Sequence, residues 1–228
     1  MLQCQTLHIA YGKHVIVKEL NLHIVQPQLV LLAGANGAGK SSLIKAFCGL
    51  NAFKGRIQIN QQVVNAQKPA LLAGHVSYMP SMPPQACYLS VAEMVNTSKL
   101  NKGSLWNGQS KNAADFLREV GMEAYQNHVF ESLSDGEKQK VMLARALAQQ
   151  APVMLLDEPM AFLDYPSKIE LLHMLKKLCQ VHHKLIIFSS HDMEVSMSAA
   201  QRLLLLKNGE IRNMEPAEFM EIKPKDLF

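Results

Sequence analysis

The sequence predicts an α/β fold: a parallel β-sheet flanked by helices, with an antiparallel β patch beside it and an inserted α-helical lobe. The first observation is that four short apolar runs are continuous rather than alternating, namely Leu29–Ala33, Val153–Leu156, Leu185–Phe188 and Leu203–Leu206. Such runs are typical of strands buried on both faces of a parallel sheet. The second is that the first three runs each lead through a polar turn into a stretch with helical spacing. Strands that alternate with helices indicate a parallel α/β sheet.

Shorter segments in the first third of the chain alternate between apolar and polar residues, which indicates an antiparallel sheet. We expect these strands at Leu2–Ala10, Val15–Ile24, Arg56–Ile59 and Val63–Val64. The helices that follow the three parallel strands are expected at Leu43–Leu50, Ser167–Gln180 and Met193–Ala200.

The pattern changes again between residues 81 and 150, where strand-like runs disappear. Helical spacing is found at Val91–Leu100, Ala113–Val120 and Glu137–Gln149, and the connecting segment Asn101–Lys111 is rich in Gly, Ser and Asn. We therefore predict a single domain in two parts: residues 1–80 and 151–228 form an α/β core, and residues 81–150 form a helical lobe.

The composition is that of an ordinary globular chain, with 48% apolar and 18% charged residues. No apolar run reaches the roughly 18–20 residues that cross a bilayer. The N-terminus lacks a basic segment followed by an apolar stretch and a cleavage site. We therefore expect a cytoplasmic protein. The net charge of +4 is mild and diffuse, so it does not argue for a nucleic-acid partner.

The strongest motif is the segment Gly34–Ser42, which follows a predicted strand, precedes a predicted helix and fits GxxxxGK[ST]. Glycines allow backbone N–H groups to curl around phosphate oxygens, and the next helix presents its N-terminus to the anion. Lys40 is expected to reach the β- and γ-phosphates, Ser41 to join the Mg²⁺ shell and Ser42 to contact phosphate. The expected nucleotide-binding residues of this segment are Gly34, Asn36, Gly37, Gly39, Lys40, Ser41 and Ser42.

Two adjacent acids stand where the second apolar run ends. Asp157 is expected to hold Mg²⁺ through water, and Glu158 is expected to polarise the attacking water. Two acids alone would be read as a solvated loop. A strand that ends in acids downstream of a phosphate loop is instead what a Mg-nucleotide site needs.

A phosphate loop occurs in several protein families, and the segment Leu133–Gln139 indicates which of them this chain resembles. Ser134 followed by Glu137 predicts a capping box at a helix start. In this place the chain resembles the ABC ATPase family, whose LSGGQ signature precedes the strand that carries the acids. The resemblance implies a P-loop NTPase (RecA-like) core, and it implies that Ser134, Gly136 and Glu137 offer a helix N-terminus to ATP held by a second subunit. Capping and phosphate binding use the same exposed N–H groups, so both interpretations stand.

Further segments resemble the family's motifs over almost the whole chain. The resemblance implies that Tyr11 stacks on adenine, although a Tyr before a Gly would otherwise be read as a turn residue. It implies that Asp164, in the sequence AFLD, contacts the opposite subunit. It also implies that His191, in SSHD, touches the γ-phosphate, so that His191, Lys40 and Glu158 form the catalytic set.

Within the family, the stretches SDGEKQKVMLARALAQ and LLDEPMAFLDYPS resemble the ATPases of importers for ferric siderophores, haem and vitamin B12. This implies ATP and Mg²⁺ as cofactors and a second ATPase subunit as partner, most simply a second copy. It also implies transmembrane permease subunits, an indirect link to a substrate-binding protein, and a position at the inner face of the cell membrane. A soluble ABC ATPase, for example one of iron–sulfur assembly, and a P-loop kinase remain as alternatives.

One family motif departs from its usual form. The family places a Gln directly after a strand and a Pro, where it contacts Mg²⁺ and senses the membrane partner, but here Pro80 is followed by Ser81. Gln85 comes four residues later. Either Ser81 occupies the position with a shorter side chain, or the loop is rearranged so that Gln85 reaches the metal. We favour Ser81, because the strand and the Pro fix the alignment.

Overall fold

The computed structural model describes residues 1–99, 112–215 and 217–218, which form two β-sheets with helices around them. The antiparallel sheet has the order β2-β1-β4-β5 and contains β1 (Leu2–Tyr11), β2 (His14–Ile24), β4 (Lys54–Ile59) and β5 (Gln62–Val63). The larger sheet has the order β10-β9-β3-β8-β7-β6. Its strands are β3 (Leu29–Ala33), β6 (Val76–Met79), β7 (Val153–Leu156), β8 (Leu185–Ser189), β9 (Arg202–Lys207) and β10 (Glu210–Met214).

The α/β prediction is confirmed, because β3, β6, β7, β8 and β9 pair in parallel. The four apolar runs supply four of these strands. β10 was not predicted, and it pairs antiparallel with β9. Asn208 and Gly209 join the two strands with φ of 52° and 79°. An Asn-Gly pair with positive φ is the preferred two-residue hairpin turn, so this dipeptide was the available signal.

Six helices are described: α1 (Lys40–Phe47), α2 (Val91–Asn96), α3 (Ala113–Glu119), α4 (Asp135–Ala148), α5 (Tyr165–Val181) and α6 (Met193–Met197). Their positions match the predicted ones, with shifted ends. The predicted extension of α2 continues as a 3₁₀ turn over Thr97–Lys99, while Leu100 and the segment 101–111 lie outside the described residues. α2, α3 and α4 all fall between residues 81 and 150, but the exact division into core and helical lobe stays a prediction.

β3 organises the interior because it is buried on both faces. Leu29, Leu31 and Ala33 belong to a hydrophobic cluster with α2–α5. Val30 and Leu32 belong to a second cluster that contains α1 and the inner face of the antiparallel sheet. This alternation follows the two-residue period of a strand. The carboxyl end of β3 therefore opens between two cores, and Gly34–Ser42 begins there.

Over residues 1–99, 112–215 and 217–218, no helix is long and apolar enough to cross a bilayer.

Candidate nucleotide site

The turn between β3 and α1 is shaped by glycines in positions where a side chain would not fit. At Gly39, which has a φ of 107°, a Cβ would collide with the Ile16 side chain. At Gly34, which has a φ of 152°, a Cβ would lie 2.5 Å from the Leu206 carbonyl oxygen. Positive φ and close packing are both reasons for glycine. The antiparallel sheet, through Ile16, and β9, through Leu206, thus pack directly against the turn at these two glycines.

Lys40, the first residue of α1, lies at the centre of this turn and is 7% exposed. Its Nζ donates hydrogen bonds to the carbonyl oxygens of Gly34 at 2.9 Å and Ala35 at 3.3 Å. The same Nζ lies 4.0 Å from Glu158 Oε1. The turn therefore concentrates positive charge at a helix N-terminus, which suits a phosphate group.

Asp157, directly after β7, is 1% exposed. Its Oδ1 accepts hydrogen bonds from Ser41 Oγ at 3.0 Å and Ser189 Oγ at 2.8 Å. Its Oδ2 is buried and has no hydrogen-bond partner in the described part of the chain. A buried carboxylate oxygen without a partner, next to a hydroxyl, fits a hydrated divalent cation, because Mg²⁺ takes oxygen ligands and keeps several waters. Ser41 and Asp157 are thus brought together, and their role as Mg²⁺ ligands stays a prediction.

Glu158 has a left-handed backbone, with a φ of 50°. For a residue other than glycine this conformation costs on the order of 1–3 kcal/mol. Two side chains hold it: the N–H of Glu158 donates to Ser189 Oγ at 2.9 Å, and its carbonyl accepts from Gln139 Nε2 at 3.0 Å. Its Oε2 lies 2.9 Å from His191 Nδ1. The predicted catalytic set of Glu158, His191 and Lys40 is therefore brought together, while Ser189 and Gln139 were missed by sequence reasoning.

The predicted capping box at the start of α4 is present. Ser134 is the N-cap, its Oγ accepts from the Glu137 N–H at 3.4 Å, and Glu137 Oε2 accepts from the Ser134 N–H at 2.9 Å. The bonds from Ser134 hold the pKa of Glu137 below its usual value. With Ser134 as the N-cap, α4 begins at Asp135, two residues before the stretch of helical spacing that starts at Glu137.

The tip of α4 is exposed and, among the described residues, is not hydrogen-bonded to the phosphate loop of its own chain. Ser134 is exposed. Gly136 packs against the segment between β7 and α5, because a Cβ added to Gly136 would lie 3.1 Å from the Phe162 carbonyl oxygen. Within the described chain, the hydrogen bonds of Ser134 and Glu137 do not reach Gly34–Ser42. One copy therefore does not bring the two motifs together.

Tyr11, at the end of β1, is 51% exposed and is anchored through its hydroxyl. Asn51 Nδ2 donates to Tyr11 Oη at 2.6 Å and to the Ser42 carbonyl oxygen at 3.2 Å. The ring is thereby fixed relative to the phosphate loop with a face left open. Asn51 carries no motif, and sequence reasoning did not find it.

Asp164 caps the next helix. Its Oδ1 accepts from the Ser167 N–H at 3.0 Å at the start of α5, and this bond, together with the one from the Ser167 side chain, lowers the pKa of Asp164. The residue is exposed, so a contact with a second chain is sterically open but stays a prediction.

The two candidates for the unusual loop after β6 lie in different surroundings. The Asp157 N–H donates to the Met79 carbonyl oxygen at 2.9 Å, so Ser81 follows β6 closely beside the acids of β7. Gln85 is exposed and lines an open cleft together with Tyr88 and Phe162. This arrangement supports the choice of Ser81, which stays a prediction.

Residues 17–161 match the sequence family described as ABC transporter. An ABC transporter ATP-binding protein of Methanocaldococcus jannaschii is 33% identical, with 92% of this chain and 74% of the relative covered. The iron(3+)-hydroxamate import ATP-binding protein FhuC of Bacillus subtilis is 29% identical, with 99% of this chain and 85% of the relative covered.

Solved structures agree on the fold. A nucleotide-free ATP-binding cassette from an ABC transporter superimposes with a TM-score of 0.84 at 19% identity, over 99% of this chain and 96% of that one. A dimeric cassette bound to ADP and Pi gives a TM-score of 0.81 at 22% identity, over 95% of this chain and 99% of that one. With a family match over more than half of its length, the chain belongs to the ABC transporter family as a nucleotide-binding ATPase.

Proposed function

We propose that this chain binds ATP with Mg²⁺ and hydrolyses it to drive an importer of the ferric siderophore, haem or vitamin B12 type. The observation that carries hydrolysis is the convergence of Lys40, Glu158 and His191 beside the Asp157–Ser41 pair. The cargo class is supported by relatives such as the achromobactin transport ATP-binding protein CbrD of Dickeya dadantii, which is 30% identical over 89% of this chain. It is also supported by the hydroxamate import protein of Bacillus subtilis described above.

The phosphates are bound by the backbone N–H groups of the turn and by Lys40, which exchanges its own carbonyl partners for phosphate oxygens. The residues assigned to this role are Gly34, Asn36, Gly37, Gly39, Lys40 and Ser42. Tyr11 offers its open face to adenine. Ser41 and Asp157 hold Mg²⁺, which supplies neutralisation of the charge on the phosphate oxygens.

Glu158 orients a water molecule for in-line attack on the terminal phosphorus. Its carboxylate lies between the ammonium of Lys40 and the imidazole of His191, so it is aimed at the place where Lys40 and the loop bind phosphate. His191 is 62% exposed at its side chain, which leaves it able to turn from Glu158 towards the γ-phosphate. Positioning and fixed charges are the main contributions that a protein makes to phosphoryl transfer.

Two copies complete each reaction centre. Ser134, Gly136 and Glu137 at the tip of α4 contact the nucleotide of the partner copy, and Asp164 contacts the partner beside it. The exposure of the capped tip supports this assignment, because in the described chain the hydrogen bonds of Ser134 and Glu137 do not involve the phosphate loop of the same copy.

The membrane partner is a permease, and the protein works at the inner face of the membrane, with an indirect link to a substrate-binding protein. The cleft beside Gln85 supports a protein partner there, since Met82, Tyr88 and Phe162 are 65%, 78% and 59% exposed. Co-purification with a polytopic membrane protein separates this proposal from a soluble ABC ATPase without a transport role.

Replacing Gly39 by Ala is expected to abolish nucleotide binding, because the new Cβ collides with Ile16 and pushes the turn out of shape. Loss of two charged hydrogen bonds at about 1.5–3 kcal/mol each lowers affinity roughly 100-fold or more. Titration with a fluorescent ATP analogue measures the affinity of each variant for nucleotide. Gly74→Ala is the matched control, since Gly74 also has a positive φ but has nothing within 4 Å of its Cβ position. Equal affinity in the two variants would contradict the steric argument.

Replacing Glu158 by Gln is expected to keep ATP binding while lowering turnover by a factor of about 10²–10⁴, the usual contribution of a positioned base. Steady-state phosphate release measures turnover, and size-exclusion chromatography with ATP shows whether paired copies accumulate. Glu19→Gln, at an exposed position on β2, is the control and should behave like the unmodified chain. Full activity of Glu158→Gln would refute the assignment.

The loop after β6 is tested in the assembled transporter. We expect Ser81→Gln to change the stimulation of ATPase activity by transport while hydrolysis itself persists, because a longer side chain restores the link between the membrane partner and Mg²⁺. Gln85→Ala is expected to leave coupling unchanged, because it shortens one exposed polar side chain and keeps the apolar side chains Met82, Tyr88 and Phe162 of the cleft. If only Gln85→Ala alters coupling, the alignment that places Ser81 at the position of the family's Gln is wrong.

A further inference from the structure

Gln139 is a polar side chain in an apolar place. It belongs to α4, is 1% exposed, and faces a small cavity between the helices and the turn after β7, lined also by Leu143, Pro159 and Leu163. Its Nε2 donates to the Glu158 carbonyl oxygen at 3.0 Å, whereas its Oε1 is buried without a hydrogen-bond partner in the described chain. A buried amide with only one of its two polar atoms hydrogen-bonded lowers the free energy of unfolding. An apolar side chain of the same size would avoid this loss. Packing therefore does not account for a glutamine here.

The bond that Gln139 makes reaches the residue whose backbone most needs support. Glu158 adopts a left-handed conformation and has a long side chain. Ser189 holds its N–H from β8, and Gln139 holds its carbonyl from α4. With both ends of the residue held, the direction in which the carboxylate leaves the backbone is determined. The same carbonyl also accepts a backbone hydrogen bond from the Ala161 N–H at 3.0 Å. The bond from Gln139 is therefore the side-chain restraint that joins this turn to α4.

The same helix carries the capped tip at Ser134. Gln139 lies five residues further along, which is roughly 7 Å at the α-helical rise of 1.5 Å per residue. A shift of the tip along the helix axis is passed to Gln139 because the helix moves as a rigid rod. The tip is exposed to a second copy, while Gln139 contacts the proposed base of its own copy.

We propose that Gln139 is a positioning residue that sets the orientation of Glu158 and ties it to the position of the α4 tip. This inference rests on the proposed function, because it takes Glu158 as the base and the tip as the contact to the partner's nucleotide. Gln139 itself does not contact the reacting atoms. Through it, a displacement of the helix tip in one copy changes the support of the base in the same copy.

The test is Gln139→Met in the full chain, since Met keeps the length and the apolar stem but cannot donate. Leu143→Met is the matched control, because Leu143 is buried one turn further along α4, on the same cavity, and no side-chain bond joins it to Glu158 in the described chain. We measure kcat and KM for ATP, the thermal midpoint, and the amount of nucleotide trapped in paired copies. Glu158→Gln serves as the reference for a missing base.

Gln139→Met is expected to lower kcat about 10- to 100-fold, as a misplaced base does, while KM changes by less than about twofold. The thermal midpoint should be unchanged or higher, and trapped nucleotide should accumulate as in Glu158→Gln. Leu143→Met should match the unmodified chain. A purely structural role would instead lower the midpoint and would not trap nucleotide.

Three outcomes overturn the inference in distinguishable ways. If Glu158→Gln abolishes turnover and Gln139→Met does not, Gln139 does not position the base, and the proposed function stands. If Glu158→Gln retains turnover, the proposed function fails and the inference fails with it. A loss of kcat in Gln139→Met that comes with a lower midpoint and no trapping also rejects it.

Discussion

The buried carboxylate of Asp157 is the constraint on which the rest of the site depends. Ser41 donates to this carboxylate from the first turn of α1, and Ser189 donates to it from the end of β8. The backbone N–H of Asp157 donates to the end of β6. A buried charge is tolerated only when it is paired or well hydrogen-bonded. Because the carboxyl ends of parallel strands meet at one edge of the sheet, a single aspartate can bond to three segments far apart in the chain, two through its carboxylate and one through its backbone N–H.

This arrangement explains how an apolar sheet produces a site for a highly charged ligand. β3 is buried on both faces and ends between two hydrophobic clusters, so its direction is fixed by packing. The turn after it is shaped by Gly34 and Gly39, where neighbours leave no room for side chains. Positive charge from Lys40 and the α1 N-terminus then lies opposite the acids of β7, at a place set by the core.

Much of this could be predicted because the signals are local. The continuous runs gave the parallel strands, the glycine pattern gave the phosphate loop, and Ser134 with Glu137 gave the cap. Gln139, Ser189 and Asn51 were missed because they act through contacts between segments distant in sequence, and a buried glutamine on a helix has no local pattern. The left-handed backbone of Glu158 was likewise not visible, since it results from bonds to α4 and β8. By contrast, Asn208-Gly209 was a local signal that predicts the β9–β10 hairpin.

The central claim is that these residues direct a water molecule to the terminal phosphorus of ATP. Hydrolysis in ¹⁸O-labelled water with Mg²⁺, followed by mass spectrometry of the products, tests this most directly. The account predicts that the label enters the released inorganic phosphate and is absent from ADP. Label in ADP, or transfer of the phosphoryl group to an acceptor other than water, would contradict it.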